Sequence, residues 1–192
     1  MELEGINIGF AMTGSFCTFA KTIEIMKKIV EAGANVIPIM SFNGYSLDTR
    51  FGNSKDFINE VEEITGNKVI HTLQESEPIG PKKMTDIMII APATGNTIAK
   101  LANGITDTPV LMATKSHLRN QNNVLIGVST NDALSTNAGN IGKLLNTKHI
   151  YFVPFRQDNP ITKPNSLVFD GNYMIKAIKS TLDSKQLQPL IL

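Results

Sequence analysis

The chain has 192 residues, 42% of them hydrophobic and 18% charged, and its formal net charge is +1. These values predict one globular domain over residues 1–192 and give no support for nucleic acid or a membrane surface as a partner. The single cysteine, Cys17, excludes an internal disulfide and fits a reducing cytoplasm, and no apolar run reaches the roughly 18 residues of a membrane span.

Short apolar runs alternate with segments of helical periodicity along the chain. The runs predicted as strands are residues 6–12, 35–40, 68–70, 86–91, 124–129 and 150–154. The predicted helices are residues 18–33, 54–66, 96–104, 137–146 and 171–188. Ser54 is the expected N-cap of the second helix and Gly66 its end, while Pro38 indicates that the second strand is irregular or lies at an edge.

Strands that alternate with helices indicate βαβ units, a parallel sheet and helices on both of its faces. We therefore predict an α/β fold with three layers and a doubly wound parallel sheet. The polar, proline-containing segment 156–166 is predicted to be a long loop before the C-terminal helix.

Small polar residues follow three of the predicted strands. They are Thr13, Gly14 and Ser15 after the first strand, Thr94, Gly95, Asn96 and Thr97 after the fourth, and Ser129, Thr130, Asn131 and Asp132 after the fifth. Ligands of open α/β sheets lie beyond the carboxyl ends of the strands, and a loop that opens a helix suits a phosphate. A plain strand–helix turn with a Ser cap explains the first loop equally well, so the recurrence at three strand ends carries the prediction of a site.

A dinucleotide is a poor match for these loops. The chain lacks G-x-G-x-x-G, and its second strand ends in "SFNG" instead of an Asp or Glu that would hold a ribose hydroxyl. A mononucleotide such as FMN remains possible, since its phosphate and ribityl chain need hydroxyls and N–H groups. Ser41 and Asn43 offer such groups, although turn chemistry also explains Asn43.

Charged residues give weaker signals. Lys115, His117 and Arg119 form a cluster that could bind a carboxylate, but a solvated basic helix end explains it as well. Arg50 and Arg156 are further anion candidates. The scattered histidines and the single cysteine give no metal signature. Surface or turn positions are expected for all three histidines, His71, His117 and His149.

The segment 91–107, "APATGNTIAKLANGITD", is similar to the PASANT motif of the homo-oligomeric flavin-containing cysteine decarboxylases. "TGS" at 13–15 matches the phosphate loop of that flavoprotein superfamily, and segment 129–145 stands where a Pro-x-Met-Asn motif is usual. The resemblance implies a flavodoxin-like Rossmann fold, an FMN cofactor and a homo-oligomer, often trimer-based.

Longer strings, "SLDTRFGNSKDFI" and "VPFRQDNPITKPNSL", resemble the family of B subunits of dipicolinate synthases from spore-forming bacteria. This resemblance implies an oxidoreductase subunit in the cytoplasm of the sporulating mother cell, working with a separate A subunit. The reaction would be the FMN-linked oxidation of dihydrodipicolinate, or hydroxytetrahydrodipicolinate, to dipicolinate.

The resemblance also assigns roles to residues. Gly14, Ser15 and Ser41 would hold the phosphate of the cofactor, and Thr13 would also bind the cofactor. Ala93, Thr94, Gly95, Asn96 and Thr130 would line its ring and ribityl chain. Asn96 and Asn131 would meet the substrate as catalytic residues, and either Arg50 or the cluster of Lys115 and Arg119 would meet its carboxylates.

Two departures from the superfamily pattern leave alternatives open. The decarboxylases carry an active-site His just before the PASANT strand, whereas the corresponding segment here, "ESEPIGPKKMTD", has none. Their Pro-x-Met-Asn is Val128–Ser129–Thr130–Asn131 in this chain, which keeps only the Asn. Both departures count against cysteine decarboxylation. A non-catalytic binding or scaffold subunit of the same complex, and a flavin-dependent cysteine decarboxylase, remain as alternatives.

Overall fold

The computed structural model describes residues 1–192 and has one mixed sheet of seven strands between two layers of helices. The strands are β1 Asn7–Met12, β2 Asn35–Met40, β3 Ile87–Ala93, β4 Asn123–Thr130, β5 Ile150–Phe152, β6 Phe155–Asn159 and β7 Lys163–Phe169. The helices are α1 Phe19–Glu31, α2 Phe42–Ser46, α3 Ser54–Thr65, α4 Leu73–Ser76, α5 Gly95–Ala102, α6 Pro109–Leu118, α7 Ala138–Leu145 and α8 Met174–Leu182. No helix is both long enough and apolar enough to cross a bilayer.

Five parallel strands in the order β2-β1-β3-β4-β5 form the flavodoxin-like part of the sheet. The predicted three-layer flavodoxin-like fold is confirmed, and β2, which contains Pro38, lies at the edge of the sheet. The sheet is not parallel throughout. Strand β7 pairs antiparallel with the last two residues of β4, Ser129 and Thr130, and β6 pairs antiparallel with β7.

Alternate side chains of the strands supply two separate cores, one on each face of the sheet. In β3, Ile87, Ile89 and Ala91 face the core that packs against α1, α3 and α8. Met88 and Ile90 face the core that packs against α5, α6 and α7. Every residue of β3 is buried, because both faces of this central strand are covered by helices.

The segment 156–166 was predicted to be a loop, and this prediction is wrong. Its residues belong to the β6–β7 hairpin, whose turn is closed by Asn159: its Oδ1 accepts the N–H groups of Ile161 and Thr162 at 3.0 and 2.9 Å. Four of the five β6 residues are exposed. The strand therefore lacks the alternation of apolar and polar residues by which strands are recognised in a sequence.

Two further predictions are corrected. The C-terminal helix ends at Leu182, six residues before the predicted end, and the chain then runs beside β6, where Phe155 N–H donates to Leu190 O at 3.0 Å. Residues 68–70 form a single bridge between Ile39 and Ile70 instead of a strand.

The predicted end of α3 is correct and its predicted cap is wrong. Gly66 ends the helix with φ +67°, a left-handed conformation that favours glycine, and its N–H donates to Glu62 O at 2.9 Å. The N-cap position is held by Asn53. Ser54 lies one residue further on, within the helix, where its N–H and hydroxyl both donate to Asp48.

Candidate functional site

The carboxyl ends of β1, β3 and β4 meet at one cleft of about 750 Å³. The cleft brings together seven of the residues chosen from the sequence: Gly14, Ser15, Thr94, Ser129, Thr130, Asn131 and Arg156. Its other wall is formed by α1 and by the β6–β7 hairpin. The volume lies within the range of about 300–1,000 Å³ that is usual for sites of small ligands and cofactors.

Thr13 links the ends of β1 and β3. Its buried hydroxyl donates to Pro92 O at 2.6 Å and accepts the Thr94 N–H at 3.0 Å. Strand β3 extends through Pro92 to Ala93, two residues beyond the predicted end. Thr94 then caps α5 by accepting the Thr97 N–H. Since its hydroxyl is fully used within the protein, Thr13 positions Thr94 at the cleft and does not itself line it.

The loop after β1 contains main-chain N–H groups that have no hydrogen-bond partner within the chain. Ser15 Oγ lies 2.9 Å from Ser129 Oγ, a hydrogen bond that joins the ends of β1 and β4. The main-chain N–H groups of Gly14 and Cys17, which line the cleft, make no hydrogen bond within the chain, and no side chain caps α1. Unpaired N–H groups before a thirteen-residue helix form an environment that attracts anions.

The loop after β4 packs closely against the start of α5. The Asp132 carboxylate accepts hydrogen bonds from the Thr130 hydroxyl and, at 2.8 Å, from Asn137 Nδ2. A Cβ atom on Gly95 would lie only 2.6 Å from Asp132 Oδ1 and from Asn137 Nδ2. A larger residue at this position would therefore displace the side chains of Asp132 and Asn137.

Asn131 connects this loop to the hairpin. Its Oδ1 accepts the Ser166 hydroxyl of β7 at 3.2 Å, while its Nδ2 makes no hydrogen bond within the chain. Asn131 is exposed in the cleft, so its amide N–H groups are available to a ligand.

The second wall of the cleft carries four cations that come from α1 and the hairpin: Lys21, Lys28, Arg156 and Lys163. Of these, the sequence singled out only Arg156. Lys21 and Lys28 follow Thr18 at helical spacing, so a polar stripe on α1 could have indicated them. Lys163 gave no comparable signal, because the hairpin was not predicted.

The structure places the remaining candidates outside the cleft lining. Ser41 caps α2 by accepting the Gly44 N–H at 3.2 Å. Arg50 lies over the exposed ring of Phe51, with Cζ 4.9 Å from its centroid. Ala93 and Gly95 are buried behind Thr94, and Asn96 is exposed on α5. Lys115 and Arg119 line a separate depression of about 340 Å³.

His117 is 1% exposed, contrary to the expected surface or turn position. Its Nε2–H donates to the Asn123 carbonyl at 3.0 Å, so Nδ1 of the neutral ring accepts the Thr85 hydroxyl at 3.0 Å. Burial lowers the pKa of His117, which keeps the ring neutral. His149 lies in a turn, with Nδ1 2.9 Å from the side-chain oxygen of Asn123. These interactions are structural and lie away from the cleft.

Comparison with known proteins places this geometry in a family. The Flavoprotein family matches residues 1–172. The B subunit of dipicolinate synthase from Bacillus subtilis is 44% identical over 190 residues, which are 99% of this chain and 95% of that protein.

Solved structures agree with this assignment. The B subunit of dipicolinate synthase from Bacillus halodurans superposes with a TM-score of 0.92 at 44% identity, covering 100% of this chain and 98% of that one. The FMN-dependent cysteine decarboxylase SpaF superposes with a TM-score of 0.69 at 18% identity, covering 95% of this chain and 98% of that one. The likeness to SpaF is one of fold alone.

Proposed function

The chain belongs to the Flavoprotein family, and from this premise we propose that it is the FMN-binding B subunit of a dipicolinate synthase. The observation that carries the proposal is the cleft at the ends of β1, β3 and β4, which is lined by residues with hydroxyls, an amide and unpaired main-chain N–H groups. The 44% identical relatives over nearly the whole chain supply the choice of reaction.

The residues present fit a flavin mononucleotide. The open N–H groups of Gly14 and Cys17 and the hydroxyl of Ser15 would hold its phosphate at the start of α1. Thr94 and Thr130 would line the ribityl chain and the ring. Ser41 has no such role in this proposal, because its hydroxyl caps α2.

The proposed reaction removes two hydrogens from dihydrodipicolinate and yields the aromatic pyridine-2,6-dicarboxylate. A flavin held in the cleft would supply a two-electron acceptor for these hydrogens, and aromatisation would be the driving force. Hydroxytetrahydrodipicolinate would first lose water to give the same dihydro compound. The task of the chain is to hold the substrate ring, and Asn131 is placed to do so by donating its free Nδ2–H groups.

Further parts of the proposal concern assembly. Because the relatives are B subunits, we expect the A subunit of the same enzyme as a partner and a small dicarboxylate as the substrate. We also expect a homo-oligomer, trimer-based, in the cytoplasm of a sporulating mother cell. Asn96 is exposed at the start of α5, outside the cleft lining, so its proposed contact requires the substrate to extend to that helix.

The test is a titration of the purified protein with FMN and with riboflavin, monitored by flavin fluorescence. Wild-type protein is expected to bind FMN saturably. Ser15→Asp places a negative charge at the proposed phosphate position and should weaken FMN binding by about tenfold or more, while riboflavin, which lacks the phosphate, is affected much less. Ser135→Asp, on an exposed residue of the loop after β4, is the matched control and should bind both flavins normally.

Turnover is tested separately. Under anaerobic conditions, dihydrodipicolinate should bleach the visible absorbance of the FMN-loaded protein when the A subunit is present. A protein that binds no FMN contradicts the proposed function. If the A subunit makes dipicolinate at the full rate without this chain, the chain has a scaffold role instead. Carbon dioxide release from a cysteine-ended peptide would identify a decarboxylase.

A further inference from the structure

The wall of the cleft opposite the strand ends is charged. It carries the four cations of α1 and the hairpin together with three carboxylates, those of Glu24, Asp158 and Asp170. A cation that already forms a close ion pair with one of these carboxylates is less available to bind an incoming anion.

Arg156 forms such an ion pair. Its Nη1 donates to Asp170 Oδ2 at 3.0 Å, and the Asp170 side chain is only 11% exposed. Asp170 also accepts the Asn172 N–H at 3.0 Å, which fixes the carboxylate at the start of the turn before α8. Arg156 therefore ties the hairpin to the base of α8.

Lys163 is only loosely engaged. Its ammonium lies 2.7 Å from Asp158 on the neighbouring strand, but both side chains are in contact with water, with 53% and 38% exposed. The hydrogen bond to Asp158 raises the pKa of Lys163, so this lysine stays charged. Exposed pairs of this kind contribute little to stability, and a ligand carboxylate can replace Asp158 at small cost.

Lys21 is unpaired. It is exposed on the first turn of α1 and makes no ion pair, although it lines the same cleft as Ser15 and Lys163. Lys28 is also unpaired but lies seven residues further along α1, about 10 Å from Lys21 along the helix axis. Of the two, Lys21 is the lysine beside the strand ends.

We infer that Lys21 and Lys163 form a two-pronged site for a small dianion, one ammonium meeting each carboxylate of the substrate. The two lysines come from different elements, α1 and β7, and both line the cleft that also contains the hydrogen-bonded hydroxyls of Ser15 and Ser129. A planar ring with two carboxylates would thus be held by its ends, while Asn131 donates to it from the loop after β4. The inference rests on the proposed function and replaces Arg50, Lys115 and Arg119 as the residues that recognise the carboxylates.

The test compares two double variants in calorimetric titrations with pyridine-2,6-dicarboxylate and with pyridine-2-carboxylate. Lys21→Gln/Lys163→Gln should weaken binding of the dicarboxylate by about tenfold or more and binding of the monocarboxylate by less. Lys115→Gln/Arg119→Gln removes the same charge from the other depression and should bind like wild type. Lys21→Arg/Lys163→Arg restores the charges and should recover most of the affinity.

FMN affinity is measured on every variant, and the dicarboxylate titration is run both with and without FMN. If the wild-type protein does not bind FMN, the proposed function is contradicted, but the dicarboxylate titration without FMN still tests the two lysines. Equal dicarboxylate affinity of the wild type and the Lys21/Lys163 double variant overturns the inference, and so does an equal loss for both ligands. The single variant Lys21→Gln changes an exposed position of α1 and leaves the hairpin unaltered. This single substitution should also lower the dicarboxylate affinity, which separates the loss of charge from a disturbed hairpin.

Discussion

The two ends of the sheet carry similar polar residues and use them differently. At the amino end, the polar groups at the strand starts bond to one another. Asn7 donates its N–H and Nδ2–H to Asp86 at 2.7 and 3.2 Å, and Asn35 Nδ2 donates to Asn7 Oδ1 at 2.8 Å. At the carboxyl end, donors of Gly14, Cys17 and Asn131 remain without a partner.

The difference distinguishes polar groups that stabilise the fold from polar groups kept for a ligand. A polar group that is satisfied within the protein stabilises the folded state, whereas one left open costs little only if water or a ligand meets it. Substitutions at the amino end should therefore lower the free energy of unfolding and spare ligand binding. Substitutions at the open carboxyl end should weaken ligand binding and leave the free energy of unfolding nearly unchanged.

The largest effect is expected for Asn123→Ala at the amino end. The Asn123 side chain donates to Thr181 O at 2.7 Å and to Ser184 Oγ at 3.0 Å, and it also accepts from His149. Its removal leaves these groups unpaired, so the free energy of unfolding should fall by about 2–4 kcal/mol. Urea denaturation measures this loss.

The control for Asn123→Ala is Asn146→Ala, at an exposed position just after α7 where the side chain makes no hydrogen bond. It should change the free energy of unfolding by less than about 0.5 kcal/mol. FMN affinity of Asn123→Ala should stay within about twofold of wild type, because the site is at the other end of the sheet. A tenfold loss of FMN affinity would show that the two ends are not independent.

The parallel core of the fold was predictable because buried parallel strands appear as apolar runs. The run at 86–91 identified β3, whose neighbours on both faces are helices. Helix α6 was missed for the opposite reason. Its buried residues, from Pro109 to His117, face most directions around the axis and give no amphipathic pattern. The Thr108–Pro109 cap, at which the Leu111 N–H bonds to Thr108, was the local signal that could have indicated it.

The candidate site was likewise predictable only in part. Strand ends follow from local sequence, so the loops that carry Ser15, Thr94 and Asn131 were identified in advance. The hairpin wall depends on pairing between β7 and the end of β4, which are far apart in sequence. The cations of that wall converge only through this long-range contact, and no local pattern of residues reveals it.

A second effect at the amino end depends on pH. Burial lowers the pKa of His117 below its ordinary value of 6.5, so the folded protein resists a proton that the unfolded chain accepts. The contribution of His117 to the free energy of unfolding should level off above pH 6.5 and should lower it as the pH drops below that value, by at most about 1.4 kcal/mol per pH unit. Urea denaturation at a series of pH values measures this slope.

The pH range between 6.5 and 4.5 isolates this effect, because the carboxylates with lowered pKa values, Asp48, Glu62 and Glu75, have ordinary values of 3.8 to 4.5. They lose their contributions only at lower pH. His117→Gln should flatten the slope in this range, whereas His71→Gln, which leaves the buried ring in place, should keep it. A slope unchanged in His117→Gln would rule out His117 as its source.

The smallest effect tests the carboxyl end. Ser129→Ala removes the hydrogen bond to Ser15 and one hydroxyl from the floor of the cleft. FMN affinity should fall by about fivefold, corresponding to roughly 1 kcal/mol, while the free energy of unfolding changes by less than that. Ser135→Ala, in the same loop and exposed, should leave FMN affinity unchanged. If Ser129→Ala destabilised the fold as much as Asn123→Ala and left FMN affinity intact, the hydroxyls at the carboxyl end would be structural, and only the open N–H groups of Gly14 and Cys17 would remain as the basis of a ligand site.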